Sequence, residues 1–467
     1  MDSAPASPAV DVAIIGAGIT GLALALELEH QGLSVCILER SPQIGGAIQT
    51  VQEDGYLCER GPNSLLLRRP DVAEWLRHRE LDEGMVTANE AVKTRYLVKN
   101  GRVLPMPSGP LSAATTPLYS LGAKLGVLGE PFRPATHQED ESVADFVSRR
   151  LGPEFLDYGI AALVNGIYAG DAERLSIRHA FSRVWNLERK GGSLIKGALK
   201  LKRERKERGE APYHSRIVSW ADGLQALPQQ IASRLQSRPQ LSVQLKQIQP
   251  AADGWQLTYH DEAGGTQALQ ARQLVVTPPV HTWSRLPWTA DLQPHVAQIE
   301  QPRYAPVVTM LLGFKREQVR HSLDGFGALI PPKENQRVLG AIFSSTLFPQ
   351  RAPEGCVALS CFLGGMHYPQ LIEAEDAELR RIALESLRPL LGITGEPEKV
   401  ILTRWPRAIP QYELGYERFL QQVAQLEATQ AGLHFLGNFR EGPGLYDCLD
   451  LARRKAVELA KATSDTV

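Results

Sequence analysis

The sequence predicts an α/β domain built from both ends of the chain, a strand-rich α+β unit from its middle, and a mainly helical segment. Three observations carry this. Residues 11–40 alternate strand, glycine turn, helix and strand. Residues 304–366 hold successive strand-like runs, "APVVTMLLGF", "GALIP", "RVLGAIFSS" and "VALSCFLGG". Residues 434–462 then return to strand, glycines and helix, the character of the opening segment.

Taken in order, Val12 to Ile15 is an apolar strand, and Ile19 to His30 carries leucines and alanines at helical period. Gly32 stops that helix, and Val35 to Leu38 is the second strand. Residues 140–200 are mostly helical in pattern. They lead into six Lys or Arg between positions 199 and 208, which suit an exposed loop or fraying helix end, or contact with an anionic surface. Residues 241–278 alternate as two strands around a Gly-Gly turn and close on two prolines, in "ARQLVVTPPV". Residues 371–391 form a helix rich in Glu, Ala and Leu, and residues 445–462 form the closing one. No repeat period is evident.

Charge is balanced, 51 basic against 52 acidic residues, so nothing calls for a nucleic-acid partner. The five cysteines (36, 58, 356, 361 and 448) show no metal-ligand spacing and suit buried thiols in a reducing compartment. Residues 1–10 lack the basic and apolar regions of a signal peptide, so none is expected. No apolar run reaches the length of a spanning helix.

Chemistry begins at Gly16-Ala-Gly18-Ile-Thr-Gly21, a G-x-G-x-x-G between strand and helix. The first glycine makes the turn, the second lets backbone approach a pyrophosphate, and the third admits close helix packing. The helix N-terminus favours the negative charge. Glu39, 18 residues after Gly21, ends the second strand, where a carboxylate can accept from both ribose hydroxyls. Arg40 follows, and then Gly45 and Gly46, a pair that lets the chain run beside a longer ligand. Gly437, Gly442 and Gly444, ahead of a helix at Leu445, offer a second set of backbone N–H groups for ribityl or pyrimidine oxygens. The expected ligand is therefore FAD, in a Rossmann-like domain.

Longer blocks resemble the protoporphyrinogen oxidase family, FAD enzymes of haem synthesis within the amine oxidase and phytoene desaturase superfamily. They are "GGAI…GYLCERGPNS" (45–64), "RYLVKNGRVLPMP" (95–107), "NGIYAGDAERLSIRHAF" (165–181), "GFGALIPPKENQRVLGAIFSSTLFP" (325–349), "CFLGG" (361–365) and "RWPRAIPQYELGY" (404–416). The resemblance implies an FAD-binding domain (1–85, 206–285 and 400–467), a mixed-sheet substrate-binding domain (86–100 and 286–399) and a helical domain at a membrane surface (101–205). It implies six-electron oxidation of protoporphyrinogen IX by molecular oxygen, with hydrogen peroxide as product. It assigns Arg95 to a substrate propionate, and a guanidinium suits a carboxylate in bidentate fashion. Leu329 and Phe362 would sandwich the macrocycle, and Gly166 would let it approach backbone. On the cofactor side it adds Val243 near the adenine, Trp405 beside the isoalloxazine, and Gly437, Gly444, Leu445, Tyr446 and Asp447 at the flavin's phosphate and ring end. Blander readings stand beside these: Arg95 as a strand-edge surface residue, Leu329 and Phe362 as core, Trp405 as packing and Asp447 as a helix cap.

The family's last block usually reads G-V-G-L-N-D-C. Here Pro443 removes a backbone donor, and Tyr446 sets a large ring where the family has a small amide, near the flavin. Ala221-Asp222-Gly223-Leu224 also lacks one glycine of the usual pair. No nucleophilic or metal constellation stands out. Hydride loss from a reduced bridging carbon to the flavin needs orientation alone, so no catalytic side chain is expected. Cys448 lies within the last helix, so FAD is expected to be non-covalent. The rivals are a coproporphyrinogen III oxidase, an amine oxidase or carotenoid desaturase, and an FAD-binding carrier without turnover. Residues 110–134 are apolar with two cations and one acid, and suit short helices on a bilayer or the wall of a substrate channel. The expected setting is the cytoplasm, peripheral to the inner face of the cell membrane, with homodimerisation open.

Overall fold

The computed structural model describes residues 9–464 apart from 93, 137 and 210–212; residues 1–8, which carry most of the signal-peptide argument, lie outside it. Its first sheet has six strands. Ala9–Ile15 pairs in parallel with Val35–Leu38 on one side and with Thr266–Val276 on the other. Val12 to Ile15 is buried on both faces, as parallel strands covered by helices are. Thr266–Val276 pairs antiparallel with Gly254–His260 along its first half and parallel with Leu433–Phe435 at its end. Four strands therefore end together, at Ile15, Leu38, Val276 and Phe435, along the carboxyl edge where open α/β sheets bind ligands.

The first helix, Ile19–His30, is buried continuously from Ile19 to Leu28. It shares a core with the last helix, Leu445–Ser464, through Leu22, Leu24, Leu449 and Ala452. A helix clamped between sheet and helix has no wet stripe, which is why its sequence is apolar all round.

The second sheet has seven strands in the order Lys399–Pro410, Tyr304–Lys315, Cys356–Gly364, Val338–Ile342, Gly325–Leu329, Thr94–Lys99 and Arg102–Pro105. All its pairs are antiparallel except Gly325–Leu329 with Thr94–Lys99. Tyr304–Lys315 is buried from Ala305 to Phe314, as the long apolar run requires of a central strand. A hairpin (Thr50–Glu53 with Tyr56–Glu59) and a three-stranded sheet (Leu65–Leu67, Arg216–Trp220, Met85–Thr87) lie between the two larger sheets in sequence.

Some boundaries differ from expectation. Lys399–Pro410 and Arg102–Pro105 belong to the second sheet, although the divisions at 400 and 101 put them elsewhere. The strand "KVILTRWPRAIP" hides its membership because Arg404, Trp405 and Arg407 interrupt the apolar alternation. Residues 241–278 make three strands, not two, because Ala251 and Gly254 close a second tight hairpin. Of the two placements expected for the basic run, the helix end holds: it occupies the second half of Leu194–Glu207 and the Arg208 that follows. Among the described residues no helix is long and apolar enough to cross a membrane.

Buried ion pairs tie the units together. Arg351, beside the second sheet, sets Nη1 2.7 Å from Glu59 of the hairpin, and its Nη2 donates to Ser219 of the three-stranded sheet at 2.6 Å. Glu59 also accepts from Thr50 and from the Leu224 N–H. Burial pushes the Glu59 carboxyl up despite its cation, so the pair locks geometry more than it adds net stability. Arg351→Met leaves a buried carboxylate without its cation and should cost about 3–5 kcal/mol, read as a lower urea midpoint. Adding Glu59→Gln to that variant should restore part of the loss.

Candidate active site

The turn after Ala9–Ile15 has three glycines with three different surroundings. Gly16 has φ +99°, and a Cβ there would meet Thr277 Oγ1 at 2.7 Å. A Cβ on Gly21 would lie 2.2 Å from the Gly16 carbonyl. Gly18 has nothing within 4 Å of that position, and no side chain caps the helix that starts after it. Space and unpaired N–H groups at a helix start are what a pyrophosphate requires. Glu39 turns in beside the space, accepting from the Ala17 N–H and the Ser41 N–H, both at 2.7 Å. Gly45 donates to the Ala17 carbonyl at 2.8 Å, and Gly46 lies against Gly18. Val243 donates its N–H to the Glu39 carbonyl at 2.9 Å. Arg40 is exposed and makes no side-chain hydrogen bond or ion pair among the described residues.

The C-terminal glycines reach the same edge. Leu436 donates to the Val276 carbonyl, and Gly437 lies beside the Thr277 carbonyl. Gly442 and Gly444 both abut the Asp447 carboxylate. That carboxylate is paired with Arg68, yet burial holds its pKa above the ordinary range. Leu445 opens the last helix. The Tyr446 ring is buried in the core shared with the first helix, and its hydroxyl donates to Asp71 at 2.6 Å and accepts from Arg69 at 2.9 Å. The ring is thus occupied by protein partners.

A third group lies on the second sheet. Leu329 and Phe362 both register with Gly340 of the strand between theirs, and therefore share a face. A Cβ on Gly166 would meet Leu329 at 2.8 Å, so the helix Ala161–Tyr168 comes closest where it has no side chain. Leu97 registers with Leu329, and Arg95, two residues earlier on the same strand, is on that face as well. Arg95 is exposed, lies 5.7 Å from the Phe326 ring centroid, and forms no ion pair among the described residues. Trp405 shares this face: it registers with Val307, as Gly364 does, one step along from the Thr309–Phe362 pair. It donates to the Arg60 carbonyl at 2.7 Å, and Thr309 donates to the same oxygen at 2.9 Å. The loop after Glu59 is thereby fastened to the second sheet.

Residues 110–134 divide between their two readings. Leu118 is fully buried with Leu97 and Ala162 beside Leu329, whereas Leu111, Leu121, Leu125, Leu128 and Phe132 are exposed. Arg68, Arg69, Arg60 and Thr277 are site neighbours that motif spacing misses. Only the doubled arginine before a Pro-started helix, in "LLLRRPDV", offered a signal. Among the described residues no group of three or more His, Cys, Asp or Glu could hold a metal ion.

Most of the chain is matched by a known family. The profile of the flavin containing amine oxidoreductases spans residues 19–459. The chain belongs to that family. It is 32% identical over 469 residues to the mitochondrial protoporphyrinogen oxidase of Nicotiana tabacum, covering 93% of this chain and 92% of that protein. It is 29% identical over 457 residues to the coproporphyrinogen III oxidase of Bacillus subtilis, covering 94% and 95%. In fold it is similar to the crystal structure of a candidate protoporphyrinogen oxidase from Exiguobacterium sp. 255-15, with TM-score 0.78 at 24% identity over 98% of this chain and 100% of that one. The protein is an FAD-dependent oxidoreductase. The open space at Gly18, the uncapped helix start and the Glu39 carboxylate fit that cofactor. Cys448, the cysteine nearest the C-terminal glycines in sequence, is buried, and burial pushes its thiol up to about 12.

Gly18→Ala and Gly21→Ala should separate binding from folding. Gly18→Ala should keep its melting temperature and lose at least about tenfold in FAD affinity, measured by flavin fluorescence titration. Gly21→Ala should lower the melting temperature itself, since its Cβ strikes a backbone carbonyl.

Proposed function

We propose that this enzyme oxidises protoporphyrinogen IX to protoporphyrin IX, a late step of haem synthesis. The observation that carries the reading is the shared face of Arg95, Leu329 and Phe362 opposite Gly166. Arg95, which forms no ion pair among the described residues, stands at the end of an apolar strip, which suits a flat tetrapyrrole with its propionates on one edge. Arg95 holds a propionate, Leu329 and Phe362 hold the ring plane, and the missing side chain at Gly166 lets the macrocycle lie against helix backbone. FAD bound at the glycine edge supplies the two-electron acceptor. Three such oxidations remove six electrons, and three molecules of oxygen become three of hydrogen peroxide. The chain's own share is orientation and exclusion of water. Its relatives include protoporphyrinogen and coproporphyrinogen oxidases, and the larger number of protoporphyrinogen oxidases among the similar proteins favours the first substrate.

Anaerobic stopped-flow bleaching of the flavin should be faster with protoporphyrinogen IX than with coproporphyrinogen III. Arg95→Ala should lower kcat/KM roughly 10- to 100-fold, the size of a lost charge-assisted hydrogen bond. Preference for coproporphyrinogen III would move the enzyme to the coproporphyrin-forming reaction, and no bleaching by either would end the porphyrinogen reading.

We further propose peripheral attachment to an anionic bilayer through residues 110–134. Leu111 and Phe132 are 80% and 85% exposed. A fully buried pair fixes this surface: Glu130, two residues before Phe132, binds Arg150 and accepts from the Leu194 and Ile195 N–H groups at the start of the basic helix. Lys196 of that helix lies 5.8 Å from the Phe132 ring centroid. Apolar tips and cations are thus presented together. Cosedimentation with phosphatidylglycerol vesicles should weaken in high salt and largely disappear in Leu111→Ser with Phe132→Ser; equal binding by that double variant would remove the attachment site.

A further inference from the structure

The last helix opens beside the first. Cys448, one turn in, hydrogen-bonds with Thr20 at the start of Ile19–His30. Both helices therefore begin at the same edge as the nucleotide turn. Among the described residues, nothing accepts from the N–H groups of Leu445, Tyr446 or Asp447. Asp447 stands in the first turn, where a carboxylate ordinarily folds back onto such groups. Here it does not. Arg68 holds Oδ1. Oδ2 is packed against Gly442 and Gly444, so close that a Cβ on either would meet it at 2.5 or 2.9 Å.

Arg68 is itself seated. Its guanidinium carbon lies 4.5 Å from the Tyr446 ring centroid, a cation–π contact. The ring is fixed by Asp71 and Arg69 through its hydroxyl, and Arg69 pairs with Asp450 at 3.2 Å. The large residue at position 446 is thus the platform of an ordered chain of contacts: Asp71 and Arg69 fix Tyr446, Tyr446 carries Arg68, and Arg68 restrains Asp447.

We propose that Arg68 is a positioning residue for the cofactor: seated on Tyr446, it keeps the Asp447 carboxylate from accepting the first N–H groups of the last helix, so that these N–H groups and the guanidinium charge meet the pyrimidine end of the flavin. Reduction places negative charge at that end. A helix N-terminus and a cation stabilise such charge, and a free carboxylate in the same place opposes it. The inference rests on FAD lying along the C-terminal glycines and is independent of which substrate reduces it.

The test measures the midpoint potential and the sulfite affinity of the bound flavin in the holoenzyme, so no porphyrinogen is needed. Arg68→Met should weaken sulfite binding about tenfold and lower the potential by about 30 mV, the two-electron equivalent of tenfold. Arg68→Lys should recover part of both, and Tyr446→Leu should shift both in the direction of Arg68→Met. Asp447→Asn keeps the cation and the shape, so it should move both readouts the other way. Unchanged potential and sulfite affinity in Arg68→Met with a full complement of FAD would overturn the proposal. Shifts of one sign in Arg68→Met and Asp447→Asn would do the same, reducing the pair to a structural clamp. Should Arg68→Met fail to retain FAD, Arg68→Lys against Asp447→Asn decides by the same opposition of sign.

Discussion

The strand Thr266–Val276 must serve two partners on one side. Its first half pairs antiparallel with Gly254–His260, and its last three residues pair in parallel with Leu433–Phe435. That exchange brings the C-terminal end of the chain to the edge where the N-terminal turn already lies. Thr277, just past the strand, donates its hydroxyl to the Ile15 carbonyl and stands where a Cβ on Gly16 would be. Gly437 lies beside the Thr277 carbonyl. One residue thus sits between two glycine loops that are 421 positions apart. A cofactor long enough to span both loops completes what the backbone has arranged, since each loop alone offers only part of a binding surface.

Joining the sheets raises a different problem, because the apolar contacts between them, such as Tyr56 and Cys58 with Leu311 and Ala358, do not fix direction. Arg351 and Glu59 are nearly inaccessible, and burial drives both toward their neutral forms. Such a pair is weak evidence of added stability. Its use is directional: Glu59 receives Thr50, Leu224 and Arg351 at once, and the residue after it sends its carbonyl to Thr309 and Trp405. The loop of residues 60–64 is consequently fixed from the hairpin and from the second sheet together. Hydrophobic packing could not set that loop's carbonyl so specifically, because it lacks direction.

What was legible in the sequence was mostly backbone. Gly16, Gly18 and Gly21 are identifiable because the absence of a side chain is itself the signal, and each meets a distinct surrounding. The apolar strands of both sheets were legible by period. Side-chain partnerships were not. Arg351 and Glu59 are 292 positions apart, and Arg68 and Asp447 are 379 apart, so neither pair leaves any local pattern. Tyr446 shows the limit most clearly. Its departure from the family's small residue was visible, but the partners its ring takes were not. Burial selects them, because a large ring with Asp71 and Arg69 within reach of its hydroxyl gains more inside the core than at a polar edge.

Burial lowers the pKa of four of the histidines. Burial pushes His281 down to about 4 and His434 down to about 3, so both are neutral near pH 7 and neither is poised to exchange protons there. His179 and His321 are lowered too, again chiefly by burial. None of the four belongs to the Arg95, Leu329 and Phe362 face. That face carries Arg95, Leu329, Phe362, Thr309 and Trp405, with Gly166 opposite. The residues that could influence the electron acceptor, Arg68 and Asp447, lie at the glycine edge and not on the substrate face. On the two proposals above, binding of the reductant and tuning of the acceptor fall to different parts of the fold, and substitutions in one should leave the other's readout intact.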